Sequence, residues 1–196
     1  NSGNKYIEAK AASQYIQHAG IHYFNVAASG SAGAAITWNT GLEVLATGKA
    51  RAKNGLLFGT DTAAANTLDD YEEGTWTPAI LGGSMTIGAI ESARYTKIGN
   101  VVVLQGYLTL NNNGDGNSVE ISGMPFVNGG TGANANQYSM GGISHGGGSN
   151  LTEMKYCRTQ SNTSYLSIYK KASTGVIQTE VDGDYFLFSV TYRTTA

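Results

Sequence analysis

Four carboxylates fall within "LDDYEEGTWTP", residues 68 to 78: Asp69, Asp70, Glu72 and Glu73. The same eleven positions hold Tyr71, Trp76 and Pro78, one of only two prolines. Clustered acids suggest glycoside hydrolysis or calcium binding. A glycosidase sets its two carboxyl groups several ångströms apart across a cleft, which acids this close in sequence do not do on facing strands. A calcium loop needs alternating ligands and a central glycine, and the run has neither. The remaining reading is a solvated junction in which Tyr71 and Trp76 are packing anchors and Pro78 starts or edges a strand.

Other stretches invite chemistry and lose it on inspection. "GISHG", Gly142 to Gly146, has the spacing of a nucleophile elbow around Ser144. An elbow requires a helix after the serine, then an acid and a histidine further on, and no histidine follows His145. "GTGANA", Gly130 to Ala135, lacks the strand, helix and acid of a dinucleotide site. Asp115 in "DGNS", and Asp182 with Asp184 in "DGD", are turn residues with too few carboxylates to hold calcium alone. His18 and His22 are four apart in a segment that reads as strand–turn–strand, so the spacing makes no metal pair. We therefore expect no catalytic residues, no metal and no cofactor. The "NLT" at Asn150 and "NTS" at Asn162 are glycosylation sequons only in a secreted eukaryotic setting, which nothing here suggests.

Composition narrows the classes further. Of 196 residues 13% are charged and the net charge is -2, too little positive charge for nucleic acid or an anionic membrane. No apolar run is long enough to span a bilayer as a helix. Cys157 is the single cysteine, so no internal disulfide forms. It sits in an alternating segment and reads as an inert strand thiol, which fits assembly in a reducing cytosol. The chain begins at Asn1 rather than Met and reads as a piece of something longer.

The elements that must position any site are strands. In "NVVVLQGYLTL" Val102, Leu104, Leu108 and Leu110 share one face, and Val103, Gln105, Tyr107 and Thr109 share the other. In "DYFLFSVTYRT" Phe186, Phe188, Val190 and Tyr192 share a side, and "NLTEMKYCRT" and "SYLSIYKK" are two further strands. "NNNGDGNS" and "SHGGGSN" read as loops. From residue 79 to 196 this pattern predicts an antiparallel β-sandwich, jelly-roll-like, after the acidic junction at 68–78.

Residues 1–67 form short strand candidates carrying one to three sizeable apolar side chains each. Burial at about 25 cal/mol per Å² would not offset an ordering entropy of about 1–2 kcal/mol per residue. Tyr6, Tyr15, Tyr23, Phe24 and Trp38 argue against disorder. The expectation is an interwoven homotrimeric β shaft completed by identical neighbours. No internal repeat is visible.

Three stretches carry a resemblance: "NGLLFGTDTAAANTLDDYEEGTWTP", "ARYTKIGNVVVLQGYLTL" and "ISGMPF". In this order and approximate spacing they resemble the C-terminal part of bacteriophage tail-fibre and related virion fibre proteins, closely over 54–126 and loosely elsewhere. The resemblance implies a homotrimeric fibre with a globular tip, carried on the virion, assembled in the bacterial cytoplasm and joined to other virion proteins through a preceding part. It supplies no agreed catalytic residues, and the tip text "SMGGISHGGGSNLTEMKYCRTQ" matches nothing transferable. Such tips attach to host-surface glycans or outer-membrane proteins. Sugar recognition needs aromatic faces with amide, hydroxyl and guanidinium partners. Tyr138, His145, Asn150, Tyr156 and Arg158 are the candidates, in the Gly-rich loop and the strand after it. A head or baseplate fibre without a receptor, and a glycan-degrading tailspike, are the alternatives; few acids after residue 75 weigh against the latter.

Multi-angle light scattering is expected to return three times the chain mass of 20.5 kDa. A compact, fully folded monomer would overturn the shared-core reading.

Overall fold

The computed structural model describes residues 3–60, 62–111, 113–129, 137–147, 155–170 and 174–195. It is 53% strand and 3% helix, and every paired strand is antiparallel. The chain divides into two compact units, residues 1–69 and 70–196.

The first unit is a four-stranded meander of β1 (Ala12–His18), β2 (Ile21–Ala27), β3 (Asn39–Val44) and β4 (Ala50–Ala52). The β1–β2 turn places Ala19 at φ +50° and Gly20 at φ +76°, the doubly left-handed conformation of a tight hairpin. Register sets Tyr15 opposite Phe24 and Phe24 opposite Leu42, so these rings and Val26 share one face. All four side chains are exposed, Phe24 at 45% and Val26 at 52%. The opposite face holds Glu43, 2% exposed and engaged by Arg51 and, at 3.8 Å, by Lys53. The hydrophobic core cluster of the chain contains no residue of this unit.

The second unit is built from β5 (Tyr71–Thr75), β6 (Ala79–Ile80), β7 (Ile87–Ile98), β8 (Val101–Leu110), β9 (Glu120–Ser122), β10 (Met140–Gly146), β11 (Tyr156–Thr159), β12 (Tyr165–Lys170), β13 (Thr174–Gly175) and β14 (Tyr185–Arg193). The sequence leads one to expect two stacked layers. The pairing runs unbroken in the order β5-β7-β8-β14-β10-β11-β12-β9-β6, with β13 on β12. β5 and β6 lie at opposite ends of that order, yet only Trp76, Thr77 and Pro78 separate them in the chain. An extended chain spans at most ~3.6 Å per residue, so the two ends of the sheet lie within about 14 Å. The sheet therefore curls until its ends nearly meet.

The alternation read from β8 and β14 holds. Val102, Leu104, Leu108 and Leu110, with Phe186, Phe188, Val190 and Tyr192, are buried in one cluster with Trp76, Ile121, Cys157, Leu166 and Ile168. Trp76 packs edge-on to Phe188, with centroids 6.2 Å apart, and its Nε1 donates to the Gln105 carbonyl at 3.0 Å. Burial raises the Cys157 thiol to about 11, which keeps it protonated and inert at neutral pH. The text "SHGGGSN" is not all loop, because β10 runs on through Gly146.

The acidic run is half of a strand pair. β5 pairs with β7 from Tyr71 opposite Ile98 to Thr75 opposite Arg94. Asp70 accepts a hydrogen bond from Lys97, Glu72 from the Tyr95 hydroxyl and Glu73 from the Tyr71 hydroxyl. These bonds to the glutamates raise both phenols above their ordinary range. Gly74 lies under the Tyr95 ring, where a side chain would collide with it. Tyr95 meets Phe126 edge-on at 5.5 Å, and the buried Lys97 ammonium lies 5.4 Å from the Phe126 ring centre. The part of the first resembling stretch from Asp70 onward is thus packed against the second, and the second meets the third at Phe126.

Gly123, at φ +90°, touches the closing segment, and a Cβ there would collide with the Thr77 carbonyl oxygen. Gly123→Ala is expected to lower unfolding stability by about 2 kcal/mol or more through strain and collision. Gly116→Ala, in open space without a positive φ, serves as the neutral control. Urea midpoints followed by tryptophan fluorescence check the pair; equal midpoints would refute this role for Gly123.

Candidate functional site

Pairing of β10, β11 and β12 sets Met140 opposite Arg158, Arg158 opposite Ser167 and Tyr156 opposite Tyr169. Cys157, Thr159, Leu166 and Ile168 are fully buried. Alternation therefore puts Tyr156, Arg158, Ser167 and Tyr169 on the outer face.

On that face the side chains form a continuous stack. The Arg158 guanidinium carbon lies 4.9 Å from the Tyr138 ring centre and 4.4 Å from that of Tyr169. Tyr169 stacks on Tyr156 at 5.4 Å with 14° between the planes. Arg158 Nη2 donates to the Tyr169 hydroxyl at 2.7 Å, and Gln160 Nε2 donates to the same oxygen at 3.0 Å. Gln160 Nε2 also reaches Ser167 Oγ at 3.0 Å, and Ser167 Oγ donates to Glu120 Oε1 at 3.1 Å. Burial raises the neighbouring Tyr165 phenol, with the Glu120 charge acting in the same direction, so it stays neutral.

Tyr138 is 54% exposed and is held in place from behind. The fully buried Asn128 amide donates to the Gln137 carbonyl at 2.8 Å and to Thr159 Oγ1 at 2.9 Å. Ser139 N donates to the same Thr159 oxygen at 3.0 Å. Beside the stack lies an open groove of about 360 Å³ lined by Val101, Gln137, Tyr138, Ser139, Thr191, Tyr192 and Arg193.

The structure brings Tyr138, Tyr156 and Arg158 together, and adds Tyr169, Gln160 and the support of Asn128. His145 does not join them. On β10 it shares the parity of the half-buried Ile143, the side opposite to Met140 and Gly142, and it contacts the buried Lys155. Its Nε2 is 3.8 Å from an Asp184 carboxylate oxygen. Asn150 lies outside the described residues. Tyr71, Trp76 and Pro78 belong to β5 and the closing segment, away from the stack in strand order. Sequence reasoning missed Tyr169 and Asn128; the outward parity of Tyr169 in "SYLSIYKK" was the available signal, whereas nothing marked Asn128.

The elbow reading of Ser144 finds no support: it sits within antiparallel β10, and no α-helix follows it among the described residues. No group of three or more His, Cys, Asp or Glu side chains placed to hold a metal ion occurs among them either. No family model, curated protein or solved structure matches the chain.

The inner cluster has a measurable consequence. Burial lowers the His145 imidazole below its ordinary range and the Lys155 charge adds to this, against the opposing pull of Asp184. Burial likewise lowers Lys155, against Asp184 and Glu180. A base whose folded value is depressed is protonated first in the unfolded chain, so stability falls as pH drops below about 6.5. His145→Gln is expected to flatten that decline between pH 7 and 5 in urea midpoints. An unchanged slope would remove His145 as its source.

Proposed function

We propose that this chain is the distal part of a bacteriophage tail fibre, homotrimeric and non-enzymatic, whose second unit attaches the particle to a host-surface glycan or outer-membrane protein. The Tyr138–Arg158–Tyr169–Tyr156 stack carries the attachment reading. It presents aromatic faces, a guanidinium, an amide and hydroxyls on one outward strand surface, which is the chemistry that holds a saccharide.

Two features support the remainder. The first unit exposes Tyr15, Phe24, Val26 and Leu42 on one sheet face and contributes nothing to the core cluster. Identical neighbours would cover that face in an interwoven trimeric shaft and supply the burial it lacks. Residues 70–75 of the first stretch that resembles virion fibres also pair with the second, which meets Phe126 of the third through Tyr95 and Lys97. In the assembled particle the partners are two further copies of the chain, other virion proteins and the host surface. A sandwich-like tip is compatible with a curled sheet flattened round the core.

The tailspike alternative gains nothing from the site. Glycoside hydrolysis takes two carboxylates, and among the described residues Glu120, already hydrogen-bonded by Ser167, is the one acid in the network around the stack.

The test uses fluorescently labelled protein and cells of the bacterium on which the virus grows. Tyr138→Ala combined with Arg158→Ala is expected to weaken adsorption about tenfold or more, given about 1 kcal/mol or more per lost aromatic or cation–π contact, with trimer mass unchanged. Undiminished adsorption by a properly assembled variant would reject the attachment role of this surface.

A further inference from the structure

Resting on the attachment reading, we propose that the tyrosine–arginine stack selects an anionic saccharide, a sugar that carries a carboxylate or a phosphate, and that Arg158 is the residue that reads the charge.

Arg158 is half-buried between two phenol rings, so much of its hydration is lost. A charge moved out of water is normally matched by an opposite charge or a full set of hydrogen bonds. Among the described residues Arg158 has neither. It forms no ion pair, whereas Arg51, Lys53, Lys97 and Lys170 all do. Its Nε is buried without a hydrogen-bond partner, and its one side-chain hydrogen bond runs from Nη2 to the Tyr169 hydroxyl. The acid reached by following the network from Tyr169, Glu120, is three hydrogen bonds further along and is occupied by Ser167.

The geometry suits recognition as well as leaving a charge unmatched. The flanking rings of Tyr138 and Tyr169 hold the guanidinium plane, and Tyr169 is itself fixed by Tyr156 and Gln160. A planar, pre-positioned guanidinium with free N–H groups on its Nη1/Nη2 side matches two oxygens of one carboxylate or phosphate. The exposed Tyr138 face offers the adjoining sugar ring a C–H stacking surface. The groove on the far side of Tyr138 provides room for the next residue of a chain, with Arg193 in its wall. Arg193 donates to Asn100 Oδ1 at 3.0 Å, so it is a secondary charge there.

Isothermal titration of the intact protein tests this with four probes: oligogalacturonate, its fully methyl-esterified form, mannose 6-phosphate and mannose. The ester differs from the first probe by a methyl group on each carboxyl, which removes its charge. Binding of an acidic probe at least about tenfold tighter than its neutral counterpart is expected, because a charge-assisted bidentate pair is lost with the charge. Preference for oligogalacturonate identifies a carboxylate, and preference for mannose 6-phosphate a phosphate; either supports the proposal. Arg158→Lys keeps the charge but loses the fork, and is expected to weaken that binding about tenfold. Arg158→Gln is expected to abolish the preference. Equal binding of charged and neutral members, or no binding of any probe, overturns the anionic assignment. Adsorption of the same wild-type preparation to host cells, measured in parallel, separates the two ideas. Adsorption without anionic preference leaves attachment standing and removes the charge reading, whereas absent adsorption removes attachment itself.

Discussion

Three residues, Trp76, Thr77 and Pro78, tie together the two ends of a ten-stranded sheet. The sheet cannot stay open with so short a link, and its curling gives one side an interior. Trp76 fills part of that interior, and the buried Pro78 needs no ladder partner for a missing N–H. Once one face is closed over a core, each strand residue has its direction decided by parity. Cys157, Leu166 and Ile168 go in; Arg158, Ser167 and Tyr169 must go out. The stack on the outside is thus a consequence of what the inside requires, and a one-residue slip of β11 would bury Arg158 and expose Cys157.

The acids near this link act in the same cause. Asp70 neutralises the buried Lys97, and Glu72 fixes the Tyr95 ring that covers Gly74 and meets Phe126. Their role is to hold the edge strand β5 in register beside β7, next to the segment that crosses to β6. A half-exposed pair such as Lys97–Asp70 contributes little net stability. What it does supply is a register that an apolar pair would specify less sharply, since only one alignment, with Glu72 opposite Lys97, brings the Asp70 carboxylate within reach of the ammonium. A chain with 13% charge spends four acids in five positions where a strand must not slip.

How much of this could be read in advance depended on side chains being present to read. β8 and β14 alternate large apolar residues with polar ones, so their inward faces were plain from the sequence. β10 is "MGGISHG", and Gly141, Gly142 and Gly146 carry no side chain to reveal a phase. That silence is why His145 was grouped with Tyr138 and Arg158, when one step of parity separates it from the outward positions. Partner order was illegible for a different reason. Alternation fixes a residue's face on its own strand, but nothing local says that β14 lies between β8 and β10, or that Tyr169 faces Tyr156 across β12 and β11. Asn128 was hidden because its part is long-range: one buried amide binds the Gln137 carbonyl and the Thr159 hydroxyl, and sequence distance conceals both. Strand existence and core faces follow from local chemistry, whereas the site arises from register.

The proposed recognition surface is carried on strands rather than loops, which changes what binding would have to order. Tyr156, Arg158 and Tyr169 have backbones fixed by paired neighbours on both sides, and their rings are packed face to face before any ligand arrives. Little conformational entropy remains to be lost on binding, and tyrosine brings large contact area with few rotatable bonds. The cost falls on the folded protein instead, in a guanidinium partly dehydrated between rings. Such a site gains most from a ligand that restores the missing charge and hydrogen bonds, and least from one that only covers it. Rigidity and a cation without an ion-pair partner among the described residues would therefore act together in the proposed site, the first lowering the entropy lost on binding and the second setting which ligand recovers the most.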